Sequence, residues 1–219
     1  CSCSTVTGNT ITSDQTICSG VIPTELSGAV PTVSPVVAFT YQWQSSPSGA
    51  GTFTDIASAT AKNYSPGALT ASTDYRRLVK MSGCPDAISN IIAITVNPIP
   101  TITGSTPASG CGTGTVTLAA TASAGTINWY AASTGGSSLG TGTSFTTPSI
   151  SSTTTYYVDA TANGCTTGSR TAVIATINPL PVISAVSPSC TGATLTSVTV
   201  TAAISSGTLE YNANGGAWQ

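Results

Sequence analysis

Histidine and charge are what this sequence has least of. Its 219 residues include no histidine, five Lys or Arg and seven Asp or Glu, so charged residues are 5% of the chain. The absence of histidine excludes His-based catalytic triads and His-ligated metal sites. The net charge is −2 and the basic residues are dispersed. The chain therefore lacks the clustered Lys and Arg that nucleic-acid binding requires, and we expect no nucleic-acid partner.

Long hydrophobic runs are absent as well. Hydrophobic residues are 40% of the chain, but Ser, Thr, Gly and Pro interrupt every stretch. None approaches the roughly 20 apolar residues of a membrane-spanning helix, so we expect no direct membrane insertion. No signal peptide is evident. Because the chain starts at Cys1 and its last repeat stops at Gln219, we expect it to be a piece of a longer protein.

The carboxylates offer little for catalysis. Seven are scattered along the chain: Asp14, Glu25, Asp55, Asp74, Asp86, Asp159 and Glu210. Asp55 and Asp74 are the one conceivable acid–base pair, against the simpler interpretation that both are solvated surface groups. Calcium sites need several closely spaced oxygen ligands, and the sequence has no such cluster. We expect no catalytic residue, no metal and no cofactor, and hence a protein that is not an enzyme.

What the sequence does contain is a repeat. A Cys, a Trp and a second Cys occur twice in that order, and a third copy begins: Cys18, Trp43, Cys84; Cys111, Trp129, Cys165; and Cys190. A period of about 80 residues is that of a small domain repeated in tandem. Disulfides would help modules this small, and they indicate an oxidising, extracellular compartment.

The repeat sets the expected domain boundaries. They are residues 1–3 as the end of a preceding module or linker, one module at 4–97, a second at 98–178, and a truncated third at 179–219. Each junction has the sequence Asn-Pro-x-Pro, at Asn97–Pro100 and Asn178–Pro181. Two prolines in three residues favour an extended and stiff connection. We therefore expect neighbouring modules of the same chain to be its main partners.

The local pattern throughout is one of short strands and turns. The sequence contains β-branched or alternating runs bounded by Gly, Pro and small polar residues, and no convincing amphipathic helix. We predict strands near 25–30, 39–45, 53–56, 74–81, 91–96, 101–104, 115–122, 126–131, 144–146, 154–160 and 171–177. This spacing predicts an all-β fold of tandem immunoglobulin-like antiparallel β-sandwich modules in a linear array.

The tryptophans and their neighbours are assigned to the sandwich interior. Trp43 and Trp129 stand where an immunoglobulin-type sandwich buries its central Trp, with stacking on a sugar ring as the alternative. The predicted core aromatics are Trp43, Trp129, Tyr75 and Tyr156. Arg77 shares the inward register of Tyr75, so we expect it to reach the rim or a carboxylate such as Asp55.

Several motifs resemble a known family. They are Tyr41–Ser46 (YQWQSS), Phe53–Ile56 (FTDI), Asp74–Arg77 (DYRR), Asn128–Tyr130 (NWY), Thr154–Val158 (TTYYV) and Asn163–Cys165 (NGC), followed by Leu209–Asn212 and Trp218. They resemble the Ig-like repeats of Bacteroidota cell-surface adhesins, and the last segment is similar to repeats of SprB-like gliding-motility adhesins. The resemblance covers nearly the whole chain. It implies type IX secretion and display in long filaments at the cell surface.

Two functions are consistent with these features. The first is a structural spacer in a long secreted adhesin filament, stiffened by disulfides and Pro-rich junctions and serving surface attachment or gliding. Its possible partners are surface polysaccharide or the secretion and motility machinery. The alternative is a carbohydrate-binding module of a secreted polysaccharide-acting protein, for which the candidate stacking residues are Tyr41, Tyr130, Tyr157 and Trp218.

The cysteines allow two pairing schemes. The candidates for disulfides are Cys1, Cys3, Cys18, Cys84, Cys111, Cys165 and Cys190. Pairing within modules gives Cys18–Cys84 and Cys111–Cys165, which copies the Cys…Trp…Cys order of immunoglobulin domains. Strand register favours the other scheme, because Cys111 precedes one strand and Cys165 follows another that runs in the same direction. At about 3.3 Å per residue, these two residues would lie at opposite ends of the sandwich.

The second scheme joins neighbouring modules. The early Cys of one module faces the late Cys of the next, which predicts Cys18–Cys165. Cys84 would then pair with Cys1 or Cys3. Cys111 would await a Cys beyond Gln219, and Cys190 a Cys still further along.

Overall fold

The structure is a computed structural model that describes residues 3–191 and 194–203. Across this range the chain forms β-strands and no helix, so the all-β prediction is confirmed. It follows that none of the described residues belongs to a helix long and apolar enough to cross a membrane.

The chain packs as two compact units. Of the described residues, the first comprises 3–101 together with the short segments 123–125 and 160–168. The second comprises residues 102–122, 126–159, 169–191 and 194–203. The segment around Cys165 therefore packs as part of the first unit, although its neighbours in sequence belong to the second.

The first unit is built on one large sheet. Its own strands are β1 (Thr5–Thr7), β2 (Ile11–Thr12), β3 (Gln15–Cys18), β4 (Ser27–Gly28), β5 (Thr32–Ser34), β6 (Thr40–Pro47), β7 (Thr54–Asp55), β8 (Thr73–Lys80), β9 (Ala87–Ile88) and β10 (Ile92–Asn97). The large sheet has the order β3-β10-β8-β6-β7, with β9 beside β8. Its neighbours are antiparallel except β3 and β10, which run parallel. Two small antiparallel pairs, β1 with β5 and β2 with β4, complete the unit.

Alternation of side chains along the strands places the core of this unit. In β8, Tyr75, Arg77 and Val79 are all buried, while Arg76 between them is only partly covered. Trp43 in β6 is fully buried and packs with Leu26, which precedes β4. The core therefore lies between the large sheet and the segments that carry Ile11 and Leu26.

The sandwich of the second unit contains two sheets. The strands of this sandwich are β11 (Ile102–Thr106), β12 (Ala108–Cys111), β13 (Thr117–Ala122), β14 (Thr126–Tyr130), β15 (Gly140–Thr141), β16 (Ser144–Thr146), the first part of β17 (Thr154–Ala162) and β19 (Thr171–Asn178). One sheet has the order β11-β13-β16, and the other β12-β19-β17-β14-β15. Here too one pair is parallel, β12 with β19. The end of β17 and the short β18 (Cys165–Thr166) belong to the first unit.

An aromatic cluster fills this second sandwich. Trp129 of β14 stacks on Phe145 of β16 with ring centroids 5.3 Å apart, and Phe145 contacts Tyr156 of β17 at 5.3 Å. Val116 and Leu118 are buried beside them, whereas Thr117 between the two is exposed. Apolar residues at every second position thus join the two sheets.

The start of the predicted third module is a long hairpin. Strand β20 (Val182–Thr191) pairs antiparallel with β21 (Thr194–Ala203). The motif from Leu209 to Trp218 lies outside the described residues.

The predicted strands are confirmed, because each overlaps an observed strand. Several short strands were not predicted, and among them are β3 and β12, which end at Cys18 and Cys111. Strand β12 has the sequence Ala-Ser-Gly-Cys, which has no β-branched or aromatic side chain to signal a strand. It is held by the parallel ladder with β19, a long-range contact that local propensity does not show.

Candidate functional site

The main candidate site is a pair of disulfides in the first compact unit. Cys3 is bonded to Cys84, 81 residues later, with Cα atoms 5.5 Å apart. Cys18 is bonded to Cys165, 147 residues later, with Cα atoms 5.6 Å apart. The second bond is the one that strand register favoured. The pairs Cys18–Cys84 and Cys111–Cys165 are not formed, because Cys84 and Cys165 are bonded elsewhere. Cys1 lies outside the described residues.

Cys18 and Cys165 lie at the ends of two different kinds of local structure, a strand end and a hairpin turn. Cys18 ends β3, where its Cα is paired with that of Asn97 in the parallel strand β10. Cys165 begins β18, directly after a two-residue turn formed by Asn163 and Gly164. Both turn residues have positive φ, 49° and 79°, as the tight Asn-Gly hairpin turn requires. This turn places Cys165 next to Cys18 at the end of β3, and Cys165 is only 1% exposed there.

Hydrogen bonds accompany the Cys18–Cys165 bond. The side-chain amide of Asn97 donates to the carbonyl of Asn163 over 3.0 Å. The hydroxyl of Thr167 donates to the carbonyl of Pro100 over 3.1 Å. The Asn-Pro-x-Pro segment is therefore tied at both of its ends to the β17–β18 hairpin.

A second turn supports the same segment. The amide of Ser123 donates to the carbonyl of Thr101 over 2.9 Å, and the amide of Thr101 donates to the Ser123 hydroxyl over 3.0 Å. Gly125, at φ 80°, lies so close to the carbonyl of Thr161 that an added Cβ would clash with it. Only glycine fits at position 125.

Cys111 has the same position in its module as Cys18 has in the first. Cys111 ends β12 opposite Asn178, as Cys18 ends β3 opposite Asn97. The residue after each cysteine donates its amide to that asparagine's carbonyl, over 2.9 Å from Ser19 and 2.8 Å from Gly112. The Cys111 thiol is free and exposed. Cys190 lies in strand β20.

Arg77 forms a second constellation, in the interior of the first unit. Its side chain has no exposed surface, and four hydrogen bonds hold the guanidinium. Two go to the side-chain oxygen of Asn9, from Nε over 3.1 Å and from Nη2 over 2.8 Å. The others go to the carbonyls of Lys62, over 2.7 Å, and Ala29, over 2.6 Å. The ring of Tyr41 lies 4.3 Å from the guanidinium carbon.

The expected partner of Arg77 was wrong. It points inward as predicted, but all of these acceptors are uncharged, and Asp55 is engaged elsewhere. Asp55 accepts a hydrogen bond from Gln44 over 2.7 Å and forms an ion pair with Lys80 at 3.5 Å. Burial lowers the pKa of the Arg77 guanidinium, and the neighbouring Tyr41 partly opposes this. An arginine guanidinium keeps its proton in proteins, so Arg77 is a buried cation without a carboxylate partner.

The second unit contains a buried ion pair. The carboxylate of Asp159, on β17, is 3.3 Å from Nε of Arg170. Asp159 also accepts a hydrogen bond from the side-chain amide of Asn128 over 2.9 Å. Arg170 donates to the carbonyls of Ala132 and Gly135 over 2.8 and 2.7 Å. This network fixes the Gly-rich loop between β14 and β15 to β17.

Most of the aromatic rings that could stack on a sugar are buried or face an arginine guanidinium. Trp43 and Trp129 are fully buried, and the other two predicted core aromatics, Tyr75 and Tyr156, are 4% and 5% exposed. The guanidinium of Arg170 lies 3.2 Å from the ring centroid of Tyr130, and that of Arg77 faces Tyr41. Tyr157 is half-buried, and Trp218 lies outside the described residues.

Asp74, the other member of the conceivable acid–base pair, takes part in a turn. Asp74 accepts hydrogen bonds from the Ser48 hydroxyl and the Gly49 amide, both over 2.9 Å, and so caps a turn. Among the residues that the structure describes, no three Cys, Asp or Glu side chains lie close enough to hold a metal ion. A cleft of about 460 Å³ beside the Cys3–Cys84 bond is lined by residues such as Val37 and Met81, without an ionisable side chain.

Two family models match the chain in succession. Residues 7–98 match a domain of unknown function, DUF8696, and residues 99–179 match the family described as Ig-like domain CHU_C associated. The chain thus carries Ig-like modules, and the predicted fold class is confirmed. No curated protein matches the sequence.

Solved structures with immunoglobulin-type folds are similar to the chain at low identity. Immunoglobulin domains 1–4 of Sidekick-1 match with 12% identity and a TM-score of 0.45, over 79% of this chain and 49% of that one. The chain therefore spans about half the length of that structure. An I-band fragment of titin matches with 12% identity and a TM-score of 0.43, over 78% and 64%. Fibronectin(III)-like modules of Clostridium thermocellum CbhA match with 15% identity and a TM-score of 0.36, over 80% and 95%.

Proposed function

We propose that this chain is a structural spacer segment of a long, secreted cell-surface adhesin filament that serves surface attachment or gliding. One observation carries the proposal. The Cys18–Cys165 bond joins the segment matched over residues 7–98 to the Ig-like segment matched over 99–179. Successive modules tied in this way transmit position from one to the next, which is the property a spacer needs.

The chemistry of the chain supports an extracellular setting. Disulfides form and persist in oxidising compartments such as the cell exterior. The resemblance of motifs such as YQWQSS and NGC to Ig-like repeats of Bacteroidota adhesins supports type IX secretion. The similarity of Leu209–Asn212 and Trp218 to SprB-like repeats supports a gliding context. The described side chains of Asp55, Asp74, Asp159 and Arg77 are tied into structural hydrogen bonds or ion pairs, which supports a role without catalysis.

The alternative, carbohydrate binding, has less support. Sugar rings stack on open aromatic faces, and a guanidinium faces the ring of Tyr130 and that of Tyr41. The two tryptophans of the described modules are enclosed by protein.

The test changes the number of modules in the protein on its own cells. Residues 98–178 are deleted in frame, or duplicated in frame as the matched control. Surface filaments are measured by electron microscopy with antibody labelling of intact cells. A spacer predicts filaments shortened by one module in the deletion and lengthened by one in the duplication, with attachment retained in both. Loss of attachment at unchanged filament length, or labelling only after lysis, would contradict the proposal.

A further inference from the structure

The Cys18–Cys165 bond is a covalent shortcut across most of both modules. The two cysteines are 147 residues apart in sequence, yet their Cα atoms are separated by 5.6 Å. The enclosed loop contains β4 to β17 with every buried tryptophan of the two modules. A force applied to the two ends of the chain follows the shortest covalent path. That path follows the chain past Cys3 to Cys18, crosses the disulfide to Cys165 and continues along the residues after it.

We propose that this disulfide carries tension past the enclosed residues 19–164, which include both buried tryptophans, so that pulling on the chain cannot extend this segment. This proposal rests on the proposed spacer role in one respect, because a spacer in a surface filament would experience the tension. The shielding itself follows from the connectivity, because a covalent bond has to break before the enclosed loop can lengthen. At about 3.3–3.6 Å per residue, the enclosed 147-residue separation is roughly 500 Å of hidden length.

The Cys3–Cys84 bond does not lie on this path. It closes a shorter loop of 81 residues, and a force that enters at Cys3 reaches Cys18 sooner along the chain than through Cys84. The two disulfides therefore have different roles under tension. Loss of Cys3–Cys84 leaves the path unchanged, whereas loss of Cys18–Cys165 reroutes it through Cys84.

The part of the force path before Cys18 is held by strand pairing and by the core of the first unit. Residues 3–18 form β1, β2 and β3, and each is paired to the first unit. Between β1 and β2, Asn9 is bound by the buried Arg77 through two hydrogen bonds. Its amide also donates to the carbonyl of Ala87 over 2.9 Å. The segment that receives the tension is thus held by the core of the unit as well as by strand edges.

Single-molecule force spectroscopy of the full 219-residue chain tests the proposal. Handle domains are fused to both ends, and all proteins carry Cys111→Ser so that this free thiol cannot exchange. The measured quantity is the contour length gained on complete unfolding. We expect the gain in dithiothreitol to exceed that of the oxidised chain by about 500 Å.

Two variants separate the disulfides. Cys18→Ser should lengthen the oxidised chain by about 230 Å, because 147 less 81 leaves 66 residues released before Cys3–Cys84 takes over. Cys3→Ser, the matched control, should leave the oxidised length unchanged. Cys165→Ser repeats the first test from the other partner. Equal gains with and without dithiothreitol, or equal lengths for Cys18→Ser and Cys3→Ser, would overturn the proposal. Neither result bears on filament length at the cell surface, so failure here is distinct from failure of the spacer role.

Discussion

Asn9 and Arg77 bind one another through three hydrogen bonds although 68 residues separate them. The side-chain oxygen of Asn9 accepts from Nε and Nη2 of Arg77, and its amide donates to the Arg77 carbonyl over 3.2 Å. A buried guanidinium loses its hydration and has to recover it from protein acceptors. In this interior the acceptors are the side-chain oxygen of Asn9 and two backbone carbonyls. The cation is therefore stabilised by well-placed neutral acceptors and not by a negatively charged partner.

Replacing Asn9 should therefore be costly. Asn9→Ala leaves two N–H groups of a buried cation unpaired, and we expect the free energy of unfolding to fall by about 2–4 kcal/mol. Chemical denaturation of the oxidised chain measures it. Arg76→Met is the matched control, because Arg76 is partly exposed and lies over the ring of Phe53. It should cost less than about 1 kcal/mol.

A double-mutant cycle tests whether the two residues act as one unit. Asn9→Ala with Arg77→Met should destabilise the chain by clearly less than the two single changes added together, because the apolar side chain needs no acceptor from Asn9. Strict additivity would contradict the coupling.

Any side chain at Gly28 should lower the stability of the first unit, because Arg77 fills the space beside this residue. A Cβ at this position would overlap Nη1 of Arg77 and come within 2.5 Å of the carbonyl of Lys62. We expect Gly28→Ala to lower the free energy of unfolding by about 1–3 kcal/mol, since the arginine has no free space to move into. Gly67→Ala is the matched control, because an added Cβ there meets open space. Equal stability of the two variants would show that the arginine site can rearrange.

The Asp159–Arg170 ion pair of the second unit should contribute more to the free energy of unfolding than the Asp55–Lys80 pair on the surface of the first. Asp159→Asn removes the charge that faces Arg170 in a largely buried site, and we expect a loss of about 2–4 kcal/mol. The control is Asp55→Asn, because the Asp55–Lys80 pair is exposed to solvent, and its loss should have no measurable effect. Thermal unfolding of both variants in low and high salt is the measurement. An equal response of the two would contradict the role of burial.

The sequence predicted the architecture better than the polar interior. Alternation of apolar and polar residues is a local signal, so strands such as β13 and β19 and the burial of Trp43 and Trp129 could be predicted. The Cys18–Cys165 pairing could be favoured because strand register limits where each cysteine can lie. The acceptors of Arg77 could not be predicted. They are backbone carbonyls and one amide from distant loops, and nothing in their residue types indicates that they converge.

Tyr75 should make the stability of the first unit sensitive to alkaline pH. Burial raises the pKa of its phenol to about 12, with a smaller contribution from Tyr64, against a normal value near 10. The folded state therefore retains the proton while the unfolded state loses it. The stabilisation is fully present below about pH 10 and declines as the pH rises toward about 12. Tyr75→Phe has no proton to lose, so its free energy of unfolding should decline less steeply in this window.

Denaturant unfolding between pH 8 and pH 12, in a Cys111→Ser background that limits thiol exchange, measures this dependence. Some decline should persist in the Tyr75→Phe variant, because burial also raises the pKa of Tyr156. Absorbance of the tyrosinate form, recorded in the folded chain, reports the same event independently. It should show one fewer late-titrating group in the variant. Identical pH profiles for the two proteins would show that the Tyr75 phenol reaches solvent when it ionises, and that its burial does not contribute to alkaline unfolding.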